Sequence, residues 1–249
     1  MCTLICTFRA FPRWPLIVAA NRDERLDRPA APPELWRGDP PFIAPRDEAA
    51  GGTWLGLNSA GLFVGVTNRF GVPRDDRRAS RGTLVTQALR SHSASALHQA
   101  LKSTPAHWFN AFHLFYADRS AAYVTWSDSE KMTQEQLAPG LHIVTERSLG
   151  SDDRARTELI RSRWAQFGGA EPTENGLAEL LRIHSEDAVG GTCIHAPALN
   201  YGTRSSLILF VGEVLNDTRL LWAEGHPCTA PYASQELLVR TLADHSARA

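Results

Sequence analysis

Cys2 is the residue of this sequence best placed to do chemistry, because it directly follows the initiator methionine. If Met1 is removed, as the small side chain at position 2 favours, Cys2 carries both a thiol and an α-amine. The amine has a pKa of about 8, so it can accept the thiol proton at neutral pH. One residue then supplies nucleophile and base. The alternative from position alone is a small apolar residue that opens an edge strand.

A polar cluster, Asn21, Arg22, Asp23 and Glu24, ends the second apolar run of the chain. We predict that the runs 1–9 and 16–24 pair as antiparallel strands, which brings this cluster back to Cys2. A neighbouring arginine favours a thiolate, and a carboxylate can orient an ammonium group. A nucleophilic Cys2 is therefore expected to have a lowered pKa and to react with electrophiles before the other three cysteines.

The amino-acid composition excludes several classes of protein. The 249 residues carry 26 basic and 27 acidic side chains, so no bulk field points to nucleic acid or to a membrane surface. No apolar run approaches the length of about 18 residues that spans a bilayer, and the start does not resemble a signal peptide. Four cysteines are too few for a disulfide scaffold. We expect a reduced, cytoplasmic, enzyme-sized single domain over residues 1–249.

The order of predicted elements indicates an α/β chain, with strands first, helices in the middle and strands again. Glycine-rich residues 51–68 predict a hairpin, and Ser80 predicts a helix N-cap. Residues 152–167 predict a helix, because Leu159, Ile160 and Trp164 share one face. The proline-rich segment 25–52 is predicted to be a long loop over one end of the sheet. This pattern suits mainly antiparallel sheets covered by helices.

Four short motifs carry a family resemblance when they occur in this order. They are Met1-Cys-Thr-Leu, Asn21-Arg-Asp-Glu, Gly51-Gly-Thr-Trp-Leu-Gly and Tyr201-Gly-Thr-Arg-Ser-Ser. Together they resemble the NRDE family, also known as the transport-and-Golgi-organisation group. The resemblance implies an Ntn-hydrolase-like fold, which is a four-layer αββα sandwich. It also implies kinship with cysteine-nucleophile amidases such as bile salt hydrolase, penicillin V acylase and acid ceramidase.

The resemblance implies roles for individual residues. Cys2 matches the nucleophile of the amidases, and Asp23 matches the aspartate that meets its amine. Asn68 ends a strand and matches the asparagine of the oxyanion hole. The amidase arginine lies a few residues before the aspartate, whereas Arg22 directly precedes Asp23, so their side chains point to opposite faces of a strand. A second amidase asparagine would fall near 145–146, where this chain has Thr and Glu.

Arg22 and four further residues are candidates for substrate binding. Arg204 follows Gly202 before an apolar strand, where a guanidinium could bind a carboxylate or phosphate, or form an ordinary surface ion pair. Trp54 and Tyr201 could line a pocket or pack in the core. Asn21 belongs to the polar strand end that is predicted to approach Cys2.

No cofactor or metal site is predicted from the sequence. The cysteines at positions 2 and 6 have no second pair at zinc-ligand spacing, and the nine histidines are scattered. Two functions stay open. The first is hydrolysis or transfer by a thiol nucleophile on a small amide or thioester. The alternative is binding or trafficking of haem or another amphipathic ligand, which the resemblance suggests because eukaryotic members are linked to haem trafficking. Neither requires a nucleic acid or a membrane span, and the oligomeric state is open.

Overall fold

A computed structural model describes residues 2–149 and 154–246. The strands in this part of the chain are β1 (Cys2–Phe11), β2 (Trp14–Arg25), β3 (Ala30–Trp36), β4 (Phe42–Asp47), β5 (Leu55–Asn58), β6 (Phe63–Asn68), β7 (Phe112–Ala117), β8 (Ala122–Ser127), β9 (Met132–Gln136), β10 (Gly140–Val144), β11 (His195–Ala196), β12 (Tyr201–Val211), β13 (Arg219–Glu224) and β14 (Ala233–Ser234). The α-helices are α1 (Arg81–Ala88), α2 (Ala94–Leu101), α3 (Arg154–Ala165), α4 (Glu174–Leu181) and α5 (Glu236–Ser246).

The strands form two antiparallel sheets. The first sheet has the order β10-β1-β2-β12-β13-β14, with β11 paired to β12. The second is a meander in which β3 to β9 pair in chain order. The predicted amino-terminal hairpin is present, and its register sets Cys2 opposite Arg22. The polar end of β2 therefore reaches the beginning of β1.

The prediction that residues 25–52 form a loop is wrong, because β3 and β4 lie within this segment. Its prolines misled the prediction, since a proline cannot donate to a strand ladder. Pro32 and Pro33 lie on β3, where the register with β4 shifts between Ala31 and Glu34. β3 is the edge strand of the second sheet. An irregular edge strand tolerates prolines that an interior strand excludes.

The alternation of side chains along β1 and β2 separates two apolar layers. Leu4 and Val18 belong to the core between the sheets, together with residues of the second sheet. Ile5 and Ala19 belong to a second core that includes residues of α3 and α4. Both strands are buried on two faces, which explains their nearly continuous apolar sequence.

Helices cover both outer faces of the sheet pair. α1 and α2 contact the second sheet, α4 contacts the first, and α3 packs on α4. The predicted N-cap is observed, because Ser80 Oγ accepts a hydrogen bond from the Gly82 N–H at 3.1 Å. α5, which the sequence did not predict, contacts β4 and β13. The layers thus follow the order αββα. Among the described residues, no helix has the length and apolar character of a membrane span.

Candidate active site

A cavity of about 220 Å³ opens where β1 begins and where β2 and β6 end. Five residues singled out in the sequence line it: Cys2, Arg22, Asp23, Trp54 and Asn68. Three strand ends and the segment before β5 supply these side chains. The antiparallel pairing of β1 and β2 is the reason that residues 20 positions apart meet here.

The Cys2 thiol is partly buried, and its electrostatic environment differs from the expected one. Burial raises its pKa above the ordinary value, and the Asp23 carboxylate acts in the same direction. The Asp23 backbone N–H and the Arg22 guanidinium favour the thiolate but do not outweigh burial. The expectation of a lowered pKa therefore does not hold for this arrangement. A thiol held neutral needs a base at the moment of attack.

Arg22 is a buried cation that faces the cavity. Its guanidinium carbon lies 4.1 Å from the centroid of the Trp54 ring, which indicates a cation–π contact. The residue is 5% exposed, and among the described residues its Nη1 atom has no hydrogen-bond partner. Burial lowers its pKa. An unsatisfied, buried guanidinium is costly, so this side of the cavity is suited to an anionic group.

Asp23 points to the other side of β2, as the alternation along a strand requires. Its Oδ1 atom accepts a hydrogen bond from the Thr203 hydroxyl at 2.6 Å. The carboxyl is 3% exposed, and burial raises its pKa to about 6, although the hydrogen bond and the charge of Arg156 act in the opposite direction. Arg22 and Asp23 thus both line the cavity, but the Arg22 guanidinium packs on Trp54 whereas the Asp23 carboxyl accepts a hydrogen bond from Thr203.

Asn68 is exposed at the last position of β6 and lines the cavity near Cys2. At the positions where the second amidase asparagine would fall, the buried Thr145 and Glu146 carry no side-chain amide. Glu146 instead forms a buried ion pair with Arg156, with 3.1 Å between Oε2 and Nη1. The charges of this pair act on Asp23. Neither residue of the pair is part of the described lining of the cavity, and the pair offers no amide donor for an oxyanion.

Three candidate residues lie outside the described lining of the cavity. Asn21 donates from Nδ2 to the carbonyl oxygens of Leu181 and Thr192, at 2.9 and 2.7 Å. Tyr201 donates to the Asp23 carbonyl oxygen at 2.8 Å. These contacts fix β2 rather than bind a ligand in the cavity. Arg204 lies at the register shift of β12 and acts electrostatically on His226.

Arg81 is a cavity residue that the sequence reasoning missed. Burial lowers its pKa, and its Nη1 donates to the Ala111 carbonyl oxygen at 3.0 Å. Its position depends on close backbone packing, because a Cβ atom on Gly52 would lie 2.4 Å from the carbonyl carbon of Gly82. The glycine pair at 51–52 was the available signal, since glycine permits such an approach.

Two ion-paired residues complete the charged rim of the cavity. Arg28 donates to both carboxylate oxygens of Asp47, with 2.7 Å between Nη2 and Oδ2. Both side chains are partly buried, and Glu24 lies 3.9 Å from Arg28. Arg28 is therefore largely neutralised. Two other arginines of the lining, Arg74 and Arg78, are paired with Asp76 and Asp75. Arg22 and Arg81 are therefore the cavity arginines best suited to a negatively charged ligand.

The sequence of the chain is similar to those of one protein family. A family model described as Transport and Golgi organisation 2 matches residues 1–218. The Transport and Golgi organization protein 2 homolog of Bos taurus is 28% identical over an alignment that is 247 residues long. The alignment covers 85% of this chain and 88% of the bovine protein.

Solved structures of two hydrolases share the fold. Penicillin V acylase from Agrobacterium tumefaciens matches with a TM-score of 0.53 and 14% identity, over 90% of this chain and 83% of the acylase. The Caenorhabditis elegans ortholog of N-acylethanolamine-hydrolyzing acid amidase matches with a TM-score of 0.55 and 12% identity, over 84% and 92%. The Ntn-hydrolase fold predicted from the sequence is thereby confirmed.

Proposed function

The chain belongs to the Transport and Golgi organisation 2 family, for which NRDE family is another name, and we propose that it is an amino-terminal-nucleophile cysteine hydrolase or acyltransferase. Its substrate in this proposal is a small amide or thioester. The observation that carries the proposal is the presence of Cys2, Asp23 and Asn68 around one cavity beside the buried cation Arg22. The fold shared with acylases supports the same reaction class.

The proposed reaction begins after removal of Met1, which lies outside the described residues. The freed amine of Cys2 takes the thiol proton, and Sγ attacks the acyl carbon. Asn68 donates from its side-chain amide to the oxygen that becomes negative. The C–N or C–S bond then breaks, and the leaving group takes the proton from the amine. Water or a second nucleophile resolves the acyl-enzyme thioester, which releases Cys2.

Asp23 has a positioning role in this mechanism. Its buried carboxylate accepts a hydrogen bond from Thr203, which fixes its orientation beside the start of β1. An ammonium at Cys2 lowers the pKa of a neighbouring carboxyl, so the charged pair forms more readily once the amine is free. The carboxylate thereby holds the amine in reach of the thiol.

The substrate in this proposal carries a negative charge close to the scissile bond. Arg22 offers an unpaired Nη1 on the face of Trp54, and Arg81 lies across the same cavity. A carboxylate or phosphate would satisfy the buried guanidinium, whereas a neutral substrate would leave it without a partner. We therefore expect acylated amino acids or anionic thioesters to be better substrates than their neutral counterparts.

The test is a Cys2→Ala variant assayed on paired amides and thioesters that carry or lack a carboxylate. Turnover should fall to the uncatalysed background in Cys2→Ala and stay near the wild-type level in Cys6→Ala. Cys6 is the matched control because it is a fully buried thiol of the same strand. Equal turnover by Cys2→Ala and the wild type would contradict the proposal. An Arg22→Met variant tests the substrate class: it should lose the preference for the substrate that carries a carboxylate over its neutral counterpart.

Binding of haem or another amphipathic ligand without turnover is the second proposal. It is less well supported, because ligands of that class need a large apolar cavity and this one is small and rimmed by charged side chains. Haem titration followed by absorbance separates the two functions. A carrier would bind haem equally well in wild-type protein and in Cys2→Ala, and neither would show turnover.

A further inference from the structure

Two histidines and two cysteines converge around β11, and none of them lines the cavity. They are His184, Cys193, His195 and Cys228, and one ligand atom from each lies within 4.8 Å of all the others. They come from three separate segments: the residues after α4, the beginning of β11 and the turn between β13 and β14. The sequence shows the short spacings between Cys193 and His195 and between His226 and Cys228, but the convergence of three segments depends on the fold.

The spacing of the ligand atoms matches a tetrahedral metal site. The His195 Nε2 atom lies 3.5 Å from Cys193 Sγ and 3.2 Å from Cys228 Sγ. Zinc bonds of about 2.3 Å to sulfur and about 2.0 Å to nitrogen at the tetrahedral angle place these atoms about 3.5 Å apart. Two of the six distances between ligand atoms therefore match a tetrahedral zinc site, and none of the others exceeds 4.8 Å.

From this geometry we propose that the protein binds one structural zinc ion through His184, Cys193, His195 and Cys228. Two thiolates and two imidazoles are a donor set that suits zinc and does not suit calcium or magnesium, which take oxygen ligands. The two thiolates balance the charge of the divalent ion. Four protein ligands leave no open position for substrate, so the site is structural rather than catalytic.

Contacts around the cluster hold its ligands in place. The His226 ring stacks on His195 with 3.9 Å between ring centroids, which fixes the plane of the imidazole. Cys193 is 3% exposed, so its thiol is positioned by core packing. The Ile183 carbonyl oxygen accepts a hydrogen bond from the Cys193 N–H at 3.0 Å, which joins the segment of His184 to that of Cys193. Such pre-positioning lowers the entropic cost of binding a metal.

The site connects to the candidate active site through two hydrogen bonds. The Ile194 N–H, between two of the ligands, donates to Thr203 Oγ1 at 2.8 Å. The Thr203 hydroxyl in turn donates to Asp23 at 2.6 Å. Zinc would fix the segment 193–195 against β12 and thereby hold Thr203 under the Asp23 carboxylate. We expect loss of the metal to lower thermal stability and to disturb the environment of Asp23.

The zinc content of the purified protein tests the proposal. The full chain, expressed with zinc in the medium and purified under reducing conditions, should contain about one zinc per chain by elemental analysis. Cys228→Ser should contain none, and Cys2→Ser should keep one zinc, because it removes a thiol of the cavity. Cys228 is the best position to change, since its partly buried turn tolerates substitution better than the core position of Cys193.

A second measurement on the wild type covers the case in which Cys228→Ser does not fold. Protein stripped by a chelator and titrated with cobalt should show the intense visible bands of a tetrahedral site with thiolate ligands. Three results would overturn the proposal: wild-type protein that takes up no zinc in competition with a micromolar chromogenic chelator, a folded Cys228→Ser that keeps its zinc, or a Cys193–Cys228 disulfide in the reduced preparation.

Discussion

Replacement of Asp23 by asparagine should make the protein more stable at neutral pH while it impairs the site. The Asp23 carboxyl is 3% exposed, and burial raises its pKa from 3.8 to about 6. A carboxyl with a raised pKa binds its proton more tightly in the folded chain. The stability that it contributes is present below pH 3.8 and is lost as the pH rises through about 6.

The size of the effect follows from the same two values. A rise of the pKa from 3.8 to about 6 corresponds to about 3 kcal/mol in the free energy of unfolding. Asparagine has the same shape, cannot ionise and can still accept the hydrogen bond from Thr203. In protein that retains Met1, Asp23→Asn should therefore match the wild type near pH 4 and exceed its stability by up to about 3 kcal/mol at pH 8.

Urea denaturation of both proteins between pH 4 and pH 8 measures this difference, with equal m-values as the check on two-state unfolding. Asp75→Asn is the matched control. Hydrogen bonds from Arg77 lower the Asp75 pKa to about 2, so its replacement should instead destabilise the protein as the pH rises above 4. A wild type more stable than Asp23→Asn at pH 8 would refute the reasoning, because it would mean that the ionised carboxylate stabilises the fold.

Three further outcomes are expected. Asn68→Ala should lower kcat by about 10²–10³-fold, the effect of one lost oxyanion donor, and leave the labelling of Cys2 unchanged; unchanged kcat would remove Asn68 from the mechanism. Arg156→Met should destabilise the protein by about 3–5 kcal/mol in urea denaturation, because it removes the buried partner of Glu146 and leaves only the longer contact of 4.0 Å with Arg147. Glu146→Gln in the same chain should restore much of that loss, and additive losses in the double variant would contradict the pairing. Active protein should lack Met1 by intact-mass measurement, and its Cys2 should react with iodoacetamide faster than in protein that keeps Met1; fully active protein that retains Met1 would exclude the amino-terminal mechanism.

The amino-terminal hairpin and the helix N-cap at Ser80 were predictable because their signals are local. Two neighbouring apolar runs, the second ending in a polar cluster, predict a pair of antiparallel strands. Ser80 caps the helix that directly follows it, by accepting a hydrogen bond from the Gly82 N–H. The placement of β3 and β4 was not predictable, because local rules read proline as a break in a strand. An edge position and a register shift accommodate Pro32 and Pro33, and both depend on tertiary structure.

The candidate site likewise contains residues that the sequence predicts and residues that it does not. Cys2, Asp23 and Asn68 were identifiable as candidates because each lies at or near a strand end and because the family resemblance implies a role for it. Arg81 was not, since it reaches the cavity only through the contact of Gly52 with Gly82, 30 positions further along the chain. The raised pKa of Cys2 also depends on burial, which the identity of its neighbours does not reveal.

The position of Cys2 at the inner end of β1 has a practical consequence for anyone who produces this protein. Any peptide fused ahead of Cys2, such as a purification tag, would begin at the cavity that the thiol lines. It would also convert the α-amine into an amide, which cannot accept a proton. An amino-terminally tagged preparation should therefore be inactive even when correctly folded. Screens for substrates need a tag at the other end, or one whose removal leaves cysteine as the first residue.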